Sequence, residues 1–352
     1  MLGYGKSEQG KAKDAGNSRD GHCQRKISTP YGDIAVDVHR DRNGEFSTAL
    51  LKPYQRRTDD IGQTVAKPCS AGTADSEISE FVGFLHESSY PASTVSMITD
   101  CLKEDVEAFR TSPIEADWLA IFIDSTYVPL RRKTVEKEAI NIAMGITMEG
   151  ERRVIGWSIT PQESATEWTS LLQSFKKRGM KSARIVVSDG LAGIDSVIDE
   201  TFPKALHQRC VVHLARDLGA KVRPSDRAPI MQGFMALAKM PSRKEALTGF
   251  AGFLAKWGAE YPSIKRWGDS LNLDEVFAFY SFHESLRGKL YTNNCIEGFN
   301  KQIKRLLKKH IQFVDEEAME KCLVSIFLHY NDKVGKRTIR GREHIDEKLI
   351  ED

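Results

Sequence analysis

The chain has 352 residues, of which 40% are hydrophobic and 28% are charged. This length and composition exclude a small disulfide-stapled protein and wholesale disorder, and they allow two or three domains of about 100 to 200 residues each. Lys and Arg total 51 against 49 for Asp and Glu, a formal net charge of +2. The near-neutral total does not exclude a nucleic-acid partner, because the basic residues occur in local runs.

The six cysteines are dispersed along the chain, without a Cys-x-x-Cys pair. This spacing is typical of a reduced intracellular chain rather than of a secreted disulfide framework. No apolar run approaches the roughly 18 residues of a membrane span. The opening sequence, MLGYGKSEQGKAK, lacks the apolar core of a signal peptide. We therefore expect a cytoplasmic protein with no membrane partner.

The N-terminal third changes character along its length. Residues 1–30 are rich in Gly, Lys, Ser and Asp, a composition that predicts a flexible arm. Residues 34–38 alternate as a strand, and the Asn43-Gly44 turn after them indicates a small hairpin. Helical periodicity with a central break at 75–102 is compatible equally with a helix-turn-helix and with a generic helical hairpin. Under the first interpretation, residues 31–112 form a DNA-binding region.

The middle of the chain, residues 113–213, predicts a mixed α/β domain. Three apolar segments joined by short connections favour an antiparallel meander, and the segments after it alternate between helical and strand-like patterns. In chain order we predict strands at 119–123, 139–148 and 154–159, a helix around 168–175, a strand at 183–187, a helix around 194–198 and a strand at 205–212.

The remainder of the chain is predicted to be helical. Residues 214–290 carry apolar side chains at helical spacings and are numerous enough for an all-α insertion. Residues 291–335 contain two amphipathic helices, which we assign to the same core as residues 113–213. The highly charged tail, residues 336–352, is expected to fray.

Three acidic residues stand out within this pattern. Asp124 follows five apolar residues in a predicted central strand, where an unpaired carboxylate would cost several kcal/mol, so it requires a partner or a metal. Asp189 precedes Gly190 and is explained equally well as a strand-ending turn residue. Glu297 lies on a predicted helix. Together, these carboxylates have the oxygen ligands that hard divalent cations prefer, which predicts an acidic metal site.

The helix that carries Glu297 has an apolar arc opposite a charged arc. Four basic residues share the charged arc with Glu297: Lys301, Lys304, Arg305 and Lys308. Such an arc is most often solvated surface, and the alternative is contact with a phosphate backbone.

A cysteine and a histidine of the middle region have metal-ligand spacing. Cys210 and His213 are separated by two residues, and His207 precedes them. A zinc site is disfavoured, because no second Cys or His pair at the usual spacing supplies the remaining ligand.

Four motifs, in this order, resemble the Mutator-type transposases, a bacterial insertion-sequence family with a DDE catalytic triad: IFIDSTYVPLR, IVVSDGLAGI, HQRCVVHLARDL and LYTNNCIEGFNKQIKRLLK. The resemblance covers most of the chain. It implies an α/β fold in which an RNase H-like mixed-sheet catalytic domain contains an all-α insertion and follows a helical DNA-binding region.

The resemblance also implies roles for individual residues. Asp124, Asp189 and Glu297 fall on the catalytic positions and would bind Mg²⁺, for which Mn²⁺ would substitute. Two such ions, about 4 Å apart, would support phosphoryl transfer. Cys210 and His213 match a Cys-x-x-His signature and are expected to be structural or to position the site. Asn294 and the basic residues of the last motif, Lys301, Lys304, Arg305 and Lys308, would contact DNA.

The partners that follow are double-stranded DNA, as terminal inverted repeats and target, and further copies of the chain. Two ends must be brought together, so we expect a homo-oligomer on DNA and association with the nucleoid. One alternative is a catalytically impaired, transposase-derived repressor that binds the repeats. A weaker alternative is a metal-dependent nuclease of the same fold acting on branched DNA.

Two departures from relatives lie near the N-terminus. Relatives usually carry a longer segment before the point where this chain begins. Residues 62–81 also replace a more regular helix-turn-helix entry. We expect both differences to affect recognition of DNA ends rather than the triad.

Overall fold

The computed structural model forms two compact units, Met1–Lys103 and Glu104–Asp352. The predicted helical pair at 75–102 lies outside the described residues. The structure describes residues 19–29, 32–41, 103–131, 135–307 and 316–350.

The first unit contains a two-stranded antiparallel hairpin. Strand β1, Arg19–Thr29, pairs with β2, Gly32–Asp41, and Ile27 lies opposite Ile34. The strand at 34–38 is confirmed, but it pairs with the residues before it, so the assignment of the whole of 1–30 to a flexible arm is wrong. A composition poor in apolar residues limits only the apolar surface that a segment can bury. Ladder hydrogen bonds join main-chain groups, which polar residues also carry.

The second unit is built on a mixed five-stranded sheet in the order β5-β4-β3-β6-β7. The pairs β3/β4 and β4/β5 are antiparallel, as the predicted meander requires, whereas β3/β6 and β6/β7 are parallel. The mixed α/β fold is thus confirmed. The strands are β3, Asp117–Arg131; β4, Val135–Thr147; β5, Arg152–Thr160; β6, Ser182–Ser188; and β7, Leu206–Arg209.

Helices cover both faces of this sheet, because successive side chains of the buried central strand point to opposite faces. On one face, Ile121 and Ile123 of β3 join a core with helices α2, Ala165–Lys177, and α3, Ile194–Thr201. On the other face, Phe122 joins a larger core that includes the helices after β7. Helix α1, residues 103–111, precedes the sheet in sequence.

Residues 214–290 are helical, as their apolar spacing predicts, but the first helix already begins at Val211, within the strand that was predicted at 205–212. None of the helices in the described part of the chain is both long and apolar enough to cross a bilayer. The segment between β7 and residue 290 contains α4, Val211–Gly219; α5, Pro224–Leu237; α6, Arg243–Gly258; α7, Pro262–Asp269; α8, Leu273–Val276; a 3₁₀ turn, Ala278–Ser281; and α9, Glu284–Leu290.

Two further helices complete the unit: α10, Asn294–Leu307, and α11, Glu316–His329. The tail after them does not fray as expected. Ile339 and Ile345 are buried, and the Arg184 guanidinium donates to the carbonyl oxygens of Ile345 and Glu347. Two buried isoleucines, these hydrogen bonds and a backbone hydrogen bond from Ile350 to Ser281 therefore hold the tail against the unit.

Candidate active site

Asp124 and Asp189 lie at matching positions on neighbouring parallel strands. Phe122 of β3 pairs with Val187 of β6. Asp124 is two residues beyond Phe122, and Asp189 is two residues beyond Val187, directly after β6 ends. Residues two apart on a strand share a face, so the parallel register brings the two carboxylates together at one edge of the pairing. The negative charge of Asp189 accordingly raises the pKa of Asp124.

The turn after Asp189 requires its glycine. Gly190 has φ of +91°, in the left-handed region that other residues rarely adopt. A Cβ at this position would lie 2.5 Å from Nε of Arg209. Asp189 thus lies directly after β6 and before a glycine that the backbone conformation requires, a position that is compatible with a place in the acidic site.

The carboxyl group of Asp124 is partly buried and has an elevated pKa of about 7. Burial is the largest cause, and Asp189, Glu297 and Glu163 add like-charge repulsion. A hydrogen bond from Asn300 Nδ2 to Asp124 Oδ2, of 2.8 Å, acts in the opposite direction. The apolar strand and the neighbouring acids therefore disfavour the ionised form unless a cation compensates for it.

We expect the metal-free protein to lose stability as the pH rises through about 7. The pKa of Asp124 in the folded state lies above its ordinary 3.8, so the folded state binds this proton more tightly than the unfolded state. The resulting stabilisation is complete at low pH and is lost as the pH passes the folded pKa. The free energy of unfolding, measured by urea denaturation with chelator, should fall by about 1 kcal/mol between pH 6 and pH 8. Asp124→Asn should reduce this fall, and an equal fall in the variant would contradict the assignment.

Glu297, in the first turn of α10, is bound by an arginine. Nη1 and Nη2 of Arg216, on α4, donate to Oε1 and Oε2 of Glu297 at 2.9 and 3.0 Å. His213 Nε2 lies 3.5 Å from Oε1, and Lys301 Nζ lies 3.8 Å from Oε2. Burial raises the pKa of Glu297, but the hydrogen bonds from Arg216 and the charges of Arg216 and Lys301 outweigh it, so the net pKa is lowered. Glu297 is therefore held ionised.

The predicted charged arc of α10 is not uniformly solvated. Glu297 is only 9% exposed. Lys301, Lys304 and Arg305 are exposed, as predicted. The polar arc is wide enough for one edge to be covered by α4 and β3 while the other remains in water. Lys308 lies outside the described residues.

The covered edge of α10 carries two asparagines that the sequence argument missed as site residues. Asn300 contacts Asp124, and Asn293, just before the helix, donates from Nδ2 to the carbonyl oxygen of Ile123 at 3.3 Å. Asn293, Glu297 and Asn300 are spaced by four and three residues, which places them in one stripe of a helix. That spacing was a usable signal. The contacts of this stripe align α10 with β3. The same helix therefore contacts Asp124, through Asn300, and carries Glu297.

Cys210 and His213 lie beside Glu297. The ligand atoms of these three residues all lie within 4.8 Å of one another, whereas Asp124, Asp189 and Glu297 form no such compact group among the described residues. The Cys210 thiol accepts a hydrogen bond from the backbone N–H of Asn293 at 3.3 Å, and burial raises its pKa. Cys210, His213 and Glu297 could therefore hold a metal ion as a group, and the expectation against a zinc site stays a prediction.

The remaining predicted DNA contact, Asn294, is exposed at the first position of α10. It lines a cleft together with Arg152, Lys289 and Tyr330. Arg216 and Glu163 are further charged residues of the site that the sequence analysis missed.

Comparisons with known proteins agree with the resemblance. Residues 1–336 match the family described as transposase, Mutator family. The chain is 38% identical to the transposase for insertion sequence element IS905 of Lactococcus lactis over 93% of this chain and 83% of that protein. It is 36% identical to the transposase for insertion sequence element IS1201 of Lactobacillus helveticus, over 87% of this chain and 83% of that protein.

A more distant relative is the transposase for IS256 in transposon Tn4001 of Staphylococcus aureus, 24% identical over 90% of this chain and 82% of that protein. Among solved structures, a Drosophila P element transposase strand transfer complex aligns with a TM-score of 0.31 and 9% identity, over 87% of this chain and 86% of that chain. The family match spans nearly the whole chain and is accompanied by two relatives above 30% identity. The chain therefore belongs to the Mutator family of transposases.

Proposed function

We propose that this chain is a DDE-type transposase, which binds the terminal inverted repeats of an insertion sequence and catalyses metal-dependent DNA strand cleavage and strand transfer. One observation carries the proposal: Asp124 and Asp189 lie at matching positions of the parallel pair β3/β6, and Asn300, on the helix that carries Glu297, donates a hydrogen bond to Asp124. These three acids come from two neighbouring strands and a helix that follows much later in sequence. Family membership supplies the reaction class.

The fold that we propose for the catalytic domain is RNase H-like, interrupted by the helices between β7 and α10. Support comes from the strand order, with three antiparallel strands followed by two parallel ones. The first carboxylate lies on β3 and the second directly after β6, and α10 packs against β3. The helical stretch lies between Asp189 and Glu297, where the insertion is expected.

The donor set fits a hard divalent cation. Asp124 and Asp189 offer carboxylate oxygens at a partly buried edge, and the Oδ1 atom of Asn300 beside them has no hydrogen-bond partner in the described structure. We propose that Asp124, Asp189 and Glu297 hold Mg²⁺, with Mn²⁺ as a substitute. When bound, such ions would activate the attacking oxygen and stabilise the leaving 3′ oxygen.

The surrounding residues hold these carboxylates in place. Asn300 orients Asp124, and Arg216 orients Glu297 and balances its charge until a cation binds. Cys210 and His213 act as positioning residues. The Cys210 thiol fixes the backbone at Asn293, one turn before Glu297, and His213 contacts Glu297 directly. Rigid placement of this kind reduces the reorganisation that the reaction requires.

Double-stranded DNA would lie along the exposed cations of α10. Lys301 is 76% exposed, and Lys304 and Arg305 are exposed on the same helix, close to Glu297. We assign phosphate contacts to these three residues, to Lys308 and to Asn294. The joining of two repeat ends to target DNA requires a homo-oligomer on the DNA, and this activity implies association with the nucleoid.

Replacement of both Lys301 and Lys304 by Ala is expected to weaken DNA binding. It should reduce the slope of log K against log salt by about one per lost phosphate contact, because each contact releases counterions. The measurement is fluorescence anisotropy across a salt series. The control replaces the exposed Lys221 and Lys244, which lie outside α10, by Ala. An unaltered slope in the α10 variant would show that Lys301 and Lys304 are solvated surface residues that do not contact DNA.

The proposed function is tested by incubating the purified chain with DNA that carries its element's ends, with Mg²⁺ or with chelator, and mapping any nick to the nucleotide. A magnesium-dependent nick at the repeat boundary, followed by joining of the 3′ end to target DNA, is the expected result. Binding without cleavage would support the repressor instead. Cleavage of branched DNA without joining would support the nuclease.

A further inference from the structure

The cleft that Asn294 lines has a volume of about 340 Å³ and is bounded by several elements of the second unit. Ile146 of β4 and Arg152 of β5 are cross-strand partners and form one wall. The other walls are formed by Lys289, in the last turn of α9, Asn294, at the start of α10, and Tyr330, directly after α11. Its volume lies within the range of small-ligand sites, about 300 to 1,000 Å³. The cleft is therefore large enough for a phosphate group and part of the nucleotide that carries it.

Contacts outside the cleft hold its walls in place. Asn331, the residue after Tyr330, accepts at Oδ1 from the backbone N–H of Val154 at 2.8 Å. Its Nδ2 donates to the carbonyl oxygen of Val154 at 3.1 Å, so the segment after α11 is fixed to β5. The Tyr330 ring packs against Phe299 of α10, with ring centroids 4.8 Å apart. Because the cleft is formed before a ligand binds, little binding free energy is lost to ordering the protein.

The two cations of this cleft, Arg152 and Lys289, are partly buried and have no acidic partner. Among the described residues, neither forms an ion pair or a side-chain hydrogen bond, and the Nε atom of Arg152 is buried without an acceptor. None of the residues that line the cleft is acidic. Neighbouring cations differ, since Arg153 pairs with Glu151 and Arg287 donates to backbone carbonyl oxygens. The cleft therefore has uncompensated positive charge, which favours an anionic ligand.

A phosphate group suits these donors. Arg binds phosphate through its planar fork of N–H groups, and Lys binds it as a point charge. The first turn of α10 also borders the cleft, and the N-terminal end of a helix attracts anions.

The cleft lies close to the cations that we assign to DNA. Asn294 and Lys301 are seven residues apart on α10, which places them on one stripe of the helix, about 10 Å apart. One strand of duplex DNA advances about 3.4 Å per nucleotide along the helix axis. A strand that contacts Lys301 therefore reaches the cleft within about three nucleotides.

We propose that this cleft binds a phosphate of the DNA backbone through Arg152 and Lys289. The inference rests on the proposed function, since it extends the DNA-binding surface from the exposed arc of α10 to the ends of β5 and α9. A free phosphate ion has the same chemistry, but the position of the cleft beside α10 favours DNA.

The test uses full-length variants that change the charge of the cleft. Arg152→Gln and Lys289→Gln each remove one positive charge and keep a polar side chain. Gly288→Glu adds a negative charge at the border of the cleft without a clash, because a Cβ at Gly288 meets no atom within 4 Å. Gly288→Ala is its matched control, since it fills the same position without the charge. Lys244→Gln, at an exposed lysine of α6, is the control for Lys289→Gln.

DNA binding is measured by fluorescence anisotropy, with DNA that carries the element's ends, in chelator and across a salt series. We expect Arg152→Gln, Lys289→Gln and Gly288→Glu each to raise the Kd by about tenfold. Each variant that removes a cation should also reduce the slope of log K against log salt by about one. Gly288→Ala should change the Kd much less than Gly288→Glu, and Lys244→Gln should match the wild-type chain. Far-ultraviolet circular dichroism and Tm establish that each variant is folded.

A second readout follows Lys289 itself. Acetylation of the lysines, quantified by mass spectrometry, should be slowed at Lys289 by bound DNA. Inorganic phosphate, at the same concentration of phosphate groups, should protect Lys289 much less, because it lacks the contacts of the DNA with α10.

Each outcome decides the inference. Wild-type Kd and slope in Lys289→Gln and Gly288→Glu, with magnesium-dependent cleavage retained, would overturn the phosphate contact in the cleft and leave the proposed function intact. Equal protection of Lys289 by inorganic phosphate and by DNA, with wild-type Kd for DNA in these variants, would assign the cleft to free phosphate and overturn the DNA contact. If the wild-type chain binds no DNA, the proposed function and this inference fail together. If Arg152→Gln does not fold, Lys289→Gln and Gly288→Glu decide the result.

Discussion

Asp124→Asn is expected to reduce strand cleavage by at least about a thousandfold and to leave DNA binding nearly intact. The substitution keeps the shape of the side chain and can keep the contact with Asn300, but it removes the charge that a divalent cation requires. Metal ions contribute several kcal/mol of transition-state stabilisation to phosphoryl transfer, and each 1.4 kcal/mol is about tenfold in rate. Cleavage of end-labelled DNA in Mg²⁺ measures the effect.

The control for this variant is Asp217→Asn, an exposed aspartate on α4 that lies outside the proposed metal site. It should cleave like the wild-type chain. Anisotropy with the same DNA should give similar Kd values for both variants. Undiminished cleavage by Asp124→Asn would show that Asp124 is not a catalytic residue. Loss of DNA binding in this variant would show that Asp124 has a structural role.

Arg216→Met is expected to destabilise the metal-free fold by about 2 kcal/mol. The substitution leaves the buried carboxylate of Glu297 without its two hydrogen bonds, and breaking a buried pair by removing one partner costs about 3 to 5 kcal/mol. The smaller figure allows for solvent screening, because the Arg216 side chain is 47% exposed. Urea denaturation near neutral pH measures the loss.

A double-mutant cycle separates the interaction between Arg216 and Glu297 from the other effects of replacing Arg216. Arg216→Met combined with Glu297→Gln removes the unpaired charge, so the double variant should recover much of the lost stability. Arg243→Met is the comparison, because Arg243 pairs with the largely exposed Asp274 and should cost below about 1 kcal/mol. If Arg216→Met and Glu297→Gln are simply additive, the bidentate contact carries no coupling energy and the proposed role of Arg216 is wrong.

The sheet and the two aspartates could be predicted because the signals that specify them are local. The apolar segments of β3 and β6 each end at an aspartate, and the short connections between β3, β4 and β5 favour the antiparallel order that is observed. Two strands whose apolar segments end in acids bring those acids together only if the strands are parallel neighbours. The sequence pattern predicts the strands, but their pairing is a property of the whole sheet.

The environment of Glu297 could not be predicted from helical periodicity. The period separates the apolar arc of α10 from the polar arc, but it does not show which part of the polar arc another element covers. Arg216 is 81 residues from Glu297, and Asn300 is 176 residues from Asp124. Contacts at such separations depend on tertiary packing, which leaves no periodic trace in the sequence.

Composition was misleading at both ends of the described chain. Strand β1 was missed because its residues are polar, although a hairpin is held by main-chain hydrogen bonds. The C-terminal segment was expected to fray because it is charged, yet Ile339 and Ile345 bury their side chains. In both places the average character of a segment concealed the few groups that determine its structure.

The most direct test of the metal site is anomalous diffraction from crystals of the full-length chain grown with Mn²⁺. We expect an anomalous peak within bonding distance, about 2.0 to 2.2 Å, of carboxylate oxygens of both Asp124 and Asp189. A peak between Cys210 and His213 in place of the aspartates, or no peak at the aspartates at saturating Mn²⁺, would contradict it.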